Sequence, residues 1–183
     1  MTGLVLLGCR ALTLAVFAAA FVGKARSATR FRGFAESIRR LAVLPERTAV
    51  PAGALVVAGE GTVVVLLALP PAARAGFALA SALLVLFIGI AVRAVHGGVL
   101  AECRCFGSKG AVMGQAMIVR NLLLLAAALP GALAGAPVPA GRPVAAAVAV
   151  AAGALAAWGF ARWYDRLVSA LMRRLLAPAR NPG

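Results

Sequence analysis

Residues 50–69 read VPAGALVVAGEGTVVVLLAL, residues 70–74 read PPAAR, and residues 76–95 read GFALASALLVLFIGIAVRAV. Each long run has the length that an α-helix rising ~1.5 Å per residue needs to cross ~30 Å of hydrocarbon. Pro51 suits a first helical turn, and Pro70-Pro71 closes the first run. The connection is too short for anything but an antiparallel pair. The segment therefore predicts a helical hairpin in a membrane, with one carboxylate, Glu60, at the middle of its first arm.

The composition extends that reading to the whole chain. Of 183 residues, 63% are hydrophobic and 13% charged, and the mean hydropathy is +0.97. Typical soluble domains carry about 25% charged residues, and a domain of this size has no interior able to hide so much apolar surface. The surplus is Ala, Leu and Val, while aromatics make up 6%. That balance favours helices packed through small residues over a β-barrel with aromatic girdles. The formal charge of +14 comes from 19 Lys+Arg against 5 Asp+Glu. Basic residues flanking spans anchor helix ends and contact anionic headgroups. No basic stripe is interleaved with exposed aromatics as a nucleic-acid groove requires, so nucleic acid is not an expected partner.

Outward from the hairpin, Leu4 to Val22 forms a first span, ending at Lys24 and Arg26. Its positive charge follows the apolar core instead of preceding it, so it reads as a retained span and not a signal peptide. Phe31, Phe34, Ile38 and Leu41 recur at helical spacing with Arg32, Arg39 and Arg40 on the other side, which predicts an amphipathic interfacial helix over about 31–44. A fourth span runs from about Ala116 to Leu133. After a Gly/Pro-rich linker, an Ala-rich run over about 144–160 predicts a fifth, and Arg162, Trp163 and Tyr164 form an interface anchor. The expected fold is all-α, a polytopic transmembrane bundle. Residues 1–134 supply a four-helix core, and 135–183 add a linker, the fifth helix and a basic amphipathic tail. Lipid is the expected environment, in a multi-pass arrangement.

Chemistry concentrates in the polar loop from His96 to Gln115. Cys103 and Cys105 flank Arg104 in a Cys-Arg-Cys-Phe-Gly-Ser segment. Two thiols one residue apart can close a small strained disulfide that exchanges readily, and Arg104 and Lys109 favour the thiolate that attacks. The same spacing also fits a static clip or an incidental pair. A structural zinc site would need two further ligands, and His96 is the sole histidine. Cys9, in an apolar helix, reads as a small hydrophobe. Glu60 should face the bundle and hold a partner, because a carboxylate at a helix centre costs about 2.5 kcal/mol or more in hydrocarbon. Arg10 is one candidate if the first two spans are antiparallel, and Arg120 is another. The pair would either fix helix register or offer a proton acceptor or polar contact for a quinone-like ligand. Asn121 can hydrogen-bond across helices.

These features in order resemble the methylamine utilisation protein MauE family, within the DoxX-like membrane proteins. The resemblance rests on Gly23-Lys24, the stretch from Phe31 to Pro45, Pro51 followed by Glu60, Cys103-Arg104-Cys105-Phe106-Gly107, and Arg120-Asn121. It implies a four-helix membrane core in the bacterial cytoplasmic membrane, serving thiol redox chemistry outside the cytoplasm. Cys103 and Cys105 would be the redox pair, and Glu60, Arg120, Asn121 and Arg10 supporting polar residues. A thioredoxin-like protein or a maturing enzyme subunit would be the partner, with a membrane quinone as the candidate electron carrier. A non-catalytic assembly factor, with the cysteines as a clip, is the rival from another class.

Charge counting opposes part of that picture. The loop after the first span carries Lys24, Arg26, Arg30, Arg32, Arg39, Arg40 and Arg47, and the C-terminal end is also basic. With five spans, the positive-inside rule puts this face and the cysteine loop in the cytoplasm, where thiols are kept reduced. Either the cysteines exchange reducing equivalents there, or the basic amphipathic segment misleads the count, or the fifth run does not span.

Overall fold

The computed structural model describes residues 2–42, 45–96, 114–135 and 143–175. Cys103, Cys105 and Lys109 lie outside the described residues. The described elements are α1 (Thr2–Ala25), α2 (Ala28–Ala42), α3 (Glu46–Ala68), α4 (Ala73–His96), α5 (Gly114–Ala134) and α6 (Pro143–Leu175), with a 3₁₀ turn at Pro70–Ala72. Among them, α1, α3, α4, α5 and the Pro143–Phe160 part of α6 are long and apolar enough to cross a membrane.

The hairpin forms as expected. Leu69 is extended and Pro70 opens the 3₁₀ turn, because a proline ring cannot continue the helix before it. Gly76 lets α4 return close to α3, since a Cβ there would lie 2.9 Å from both the Leu67 side chain and its backbone nitrogen. Pro51 corrects one expectation: α3 starts at Glu46 after Pro45, so Pro51 lies inside the helix, past its first turn. One extra turn of α3 precedes the apolar run.

α4 and α5 share an extensive interface, built where Gly131 makes room for the buried Phe77 ring; a Cβ at Gly131 would sit only 2.7 Å from the ring's Cγ. The main core joins Phe17 of α1, Val63 and Leu67 of α3, Phe77 and Leu84 of α4, and Leu124 of α5. α6 packs chiefly on α1. Gly8 faces Ala149 and Gly153, while Ala11 and Leu12 face Gly153, so these two helices run parallel. α6 also continues as one helix to Leu175. At ~1.5 Å per residue its 33 residues reach ~50 Å, beyond the ~30 Å hydrocarbon layer.

The amphipathic stretch forms α2, but its apolar side is taken up by protein. Phe34 and Ile38 form a second core cluster with Val56 of α3, and Phe87 of α4 packs against it. Ala35 is buried against Gly53. α2 therefore closes the end of the bundle where α1 stops, leaving Arg30, Arg32 and Arg40 exposed. On that exposed side Arg39 and Arg40 both donate to Glu36, holding its carboxyl far below the usual range, at about 2.

Candidate functional site

Beneath α2 lies a buried ion pair. Lys24 Nζ, from the last turn of α1, donates to Glu60 Oε1 of α3, and the two residues are 6% and 1% exposed. The ammonium also stands 4.4 Å from the centre of the Phe34 ring and 5.8 Å from that of Phe87. Cation–π attraction of this kind strengthens where water is excluded, to ~2 kcal/mol or more. Elements α1, α2, α3 and α4 thus converge on one charge. The other Glu60 oxygen, Oε2, is buried and accepts no hydrogen bond among the described residues.

Arg10 does not pair with Glu60, contrary to the sequence expectation. Its guanidinium donates from Nε to the Leu67 carbonyl at 2.6 Å and from Nη2 to the Ala68 carbonyl at 3.1 Å. These are among the last carbonyls of α3, which lack partners within the helix, and a cation there complements the helix dipole. The spans are antiparallel as assumed, but the register differs. Phe21 lies against Gly61 and Lys24 reaches Glu60, so Arg10 sits fourteen residues, ~20 Å, from the residue that makes the pair. The expectation took both apolar runs to begin and end at equal depth; α2 packs beside the first half of α3 and pushes the end of α1 to its middle. Arg10→Met is expected to destabilise the bundle by about 1–3 kcal/mol through the orphaned carbonyls. Arg10→Lys, which cannot fork to both oxygens, should recover only part of this in detergent unfolding followed by circular dichroism.

Arg120 is half-buried on α5, with its guanidinium carbon 5.8 Å from the Phe160 ring centre, and its charge also acts on Glu60. Of the two cations weighed for Glu60, Arg120 is therefore electrostatically involved, but the direct bond belongs to Lys24. Asn121 is buried beside it in sequence. Cys9 is half-buried and not disulfide-bonded. An open apolar groove at the α1–α2 turn, lined by Ala25, Phe31, Ala54 and Val57 among others, offers no ionisable group. The polar chemistry of the described residues centres on the pair.

Sequence reasoning passed over Lys24, reading it as an anchor at a span end. One signal was available: Lys24 and Lys109 are the only lysines among 19 basic residues. Lysine carries a compact ammonium on a flexible stem, and at Lys24 that head meets one carboxylate oxygen and two ring faces.

The ends of the cysteine segment can be located from its flanks. α4 ends at His96 and α5 begins at Gly114, at the same end of the bundle as α2. Phe87, beside Lys24, lies nine residues before His96, a rise of ~13 Å.

Among the described residues, an apolar bundle with one buried ion pair and five helices long and apolar enough to cross a membrane defines a multi-pass integral membrane protein. More narrowly, the family described as methylamine utilisation protein MauE matches residues 2–134, from α1 through α5, and the chain belongs to that family. No curated protein and no solved structure matches the chain.

Proposed function

We propose that this protein is a membrane thiol–disulfide exchange protein of the MauE type in the bacterial cytoplasmic membrane, supporting disulfide formation or maturation of a partner. The observation that carries the reading is that the flanks of the Cys103/Cys105 segment, the ends of α4 and α5, lie at the end of the bundle that α2 closes, with the Lys24–Glu60 pair deeper in the bundle beneath α2. Family membership supports it, as does the Cys-Arg-Cys spacing. In the oxidising direction, the Cys103–Cys105 disulfide accepts two electrons and two protons as two partner thiols become a disulfide. The dithiol then passes two electrons and two protons to a membrane quinone, giving quinol. The partner is a thioredoxin-like protein or a maturing enzyme subunit.

Cys103→Ser and Cys105→Ser are each expected to abolish disulfide transfer while leaving the protein inserted, and one of the single-cysteine variants should trap a mixed disulfide with the partner. An assembly factor that uses the cysteines as a clip gives no such adduct. Full transfer by both variants would refute the reading. The face of the membrane is read by a topology reporter at Lys109: a cytoplasmic signal sinks the extracytoplasmic oxidant direction.

A further inference from the structure

We propose that Glu60 is a proton-exchange site inside the bundle, its carboxylate binding a proton in place of its ion pair with Lys24. Three features point to it. Glu60 is 1% exposed within a membrane-length helix, where a fixed charge is costly and intramembrane carboxylates commonly serve proton movement. Lys24 occupies one carboxylate oxygen, while the other is buried with no hydrogen bond among the described residues. A permanently ionised buried carboxylate needs its acceptor sites filled; a proton is the ligand that such a bare oxygen takes. Lastly, the Lys24 ammonium is held by the Phe34 and Phe87 rings as well as by Glu60. When Glu60 is neutral the cation retains that aromatic contact, so losing the ion pair does not leave the ammonium bare.

Among the described residues, the groups around Glu60 are few. α1 supplies Lys24 and α5 supplies the charge of Arg120. α2 contributes the Phe34 ring to the cluster, its own Glu36, Arg39 and Arg40 being tied to one another. α4 contributes Phe87 and, further along the helix, the buried Ser81 hydroxyl, while Arg10 is engaged at the far end of α3. In the step, a proton adds to Oε2, and the ion pair becomes an ammonium beside a neutral carboxylic acid. No electrons move, and release of the proton restores the pair. The proton comes either from water or from a thiol of the cysteine pair. The second source rests on the thiol–disulfide reading above.

The test is infrared spectroscopy of the full chain in lipid nanodiscs. With 5 Asp+Glu in the chain, the protonated-carboxyl band is readily assigned. A band that grows on acidification, disappears in Glu60→Gln and survives in Glu36→Gln is expected. Lys24→Met should raise the proton affinity at least tenfold, which is about one pH unit. If no band sensitive to Glu60→Gln appears at any pH at which the protein stays helical, the proposal is overturned; this arm needs only the wild type and an isosteric variant. A band that responds to reduction in wild type but not in Cys103→Ser identifies a thiol as the source. A band that titrates identically with and without reductant upholds the proton site with water as its source and counts against the thiol coupling alone.

Discussion

Lys24→Met is expected to destabilise the bundle by about 3–5 kcal/mol at a pH where Glu60 stays ionised, because it leaves that carboxylate buried without its cation; acidification that protonates Glu60 should shrink the loss. The intact ion pair itself adds little net stability. Taking both charges from water costs several kcal/mol per ion, and their attraction only offsets this. The penalty lies in the asymmetry, and a double variant reveals it. Lys24→Met with Glu60→Met removes both charges and places flexible apolar chains against Phe34 and Phe87. That double variant should recover most of the loss, since replacing a buried pair by hydrophobic residues is often neutral. Unfolding in mixed detergent, followed by circular dichroism, reads the cycle. If Lys24→Met alone stays within about 0.5 kcal/mol of wild type, the scale of an ordinary surface change, the pair has no structural role.

The same pair marks the limit of what the sequence made legible. Spans are written in apolar length, which lipid imposes directly, so the elements and the Pro70-Pro71 turn could be read from residues 50–95 alone. Depth was harder. Whether Arg10 or Lys24 meets Glu60 depends on the height of one helix beside another, and that height is set by where α2 packs. The periodicity of Phe34 and Ile38 says only that α2 has an apolar face. It does not distinguish lipid from Val56 and Phe87 as the cover for that face, and the protein uses the latter. Only with α2 seated in the bundle wall does the end of α1 meet the middle of α3. Family resemblance pointed to Gly23-Lys24 without a physical reason; the geometry supplies one.

Gly153→Leu is the second change expected to be severe, and it probes α6, which lies beyond the family match. Lipid tails are as apolar as the helices, so α6 gains nothing from hiding apolar surface on α1; close van der Waals approach has to hold it. The sequence provides a row of small residues, Ala149, Gly153 and Ala157, one turn apart along α6. Opposite them stand Gly8 and Ala11. A Cβ at Gly153 would overlap the Gly8 carbonyl oxygen and stand 2.9 Å from Ala11 Cβ and 3.1 Å from the Leu12 nitrogen. Two of those three neighbours are backbone, so no rotamer change relieves the clash and the helices must separate. Overpacking a well-filled contact costs about 1–3 kcal/mol, and a backbone clash belongs at or above the top of that range. Gly159→Leu is the matched control on the same helix: nothing lies within 4 Å of its added Cβ, and removing a helical glycine should stabilise by about 0.5–1 kcal/mol. The two substitutions have identical composition, hydropathy and helix propensity, so a difference in detergent-unfolding stability between them isolates the α1–α6 contact. Equal stabilities would mean that α6 is not held on α1 through Gly153.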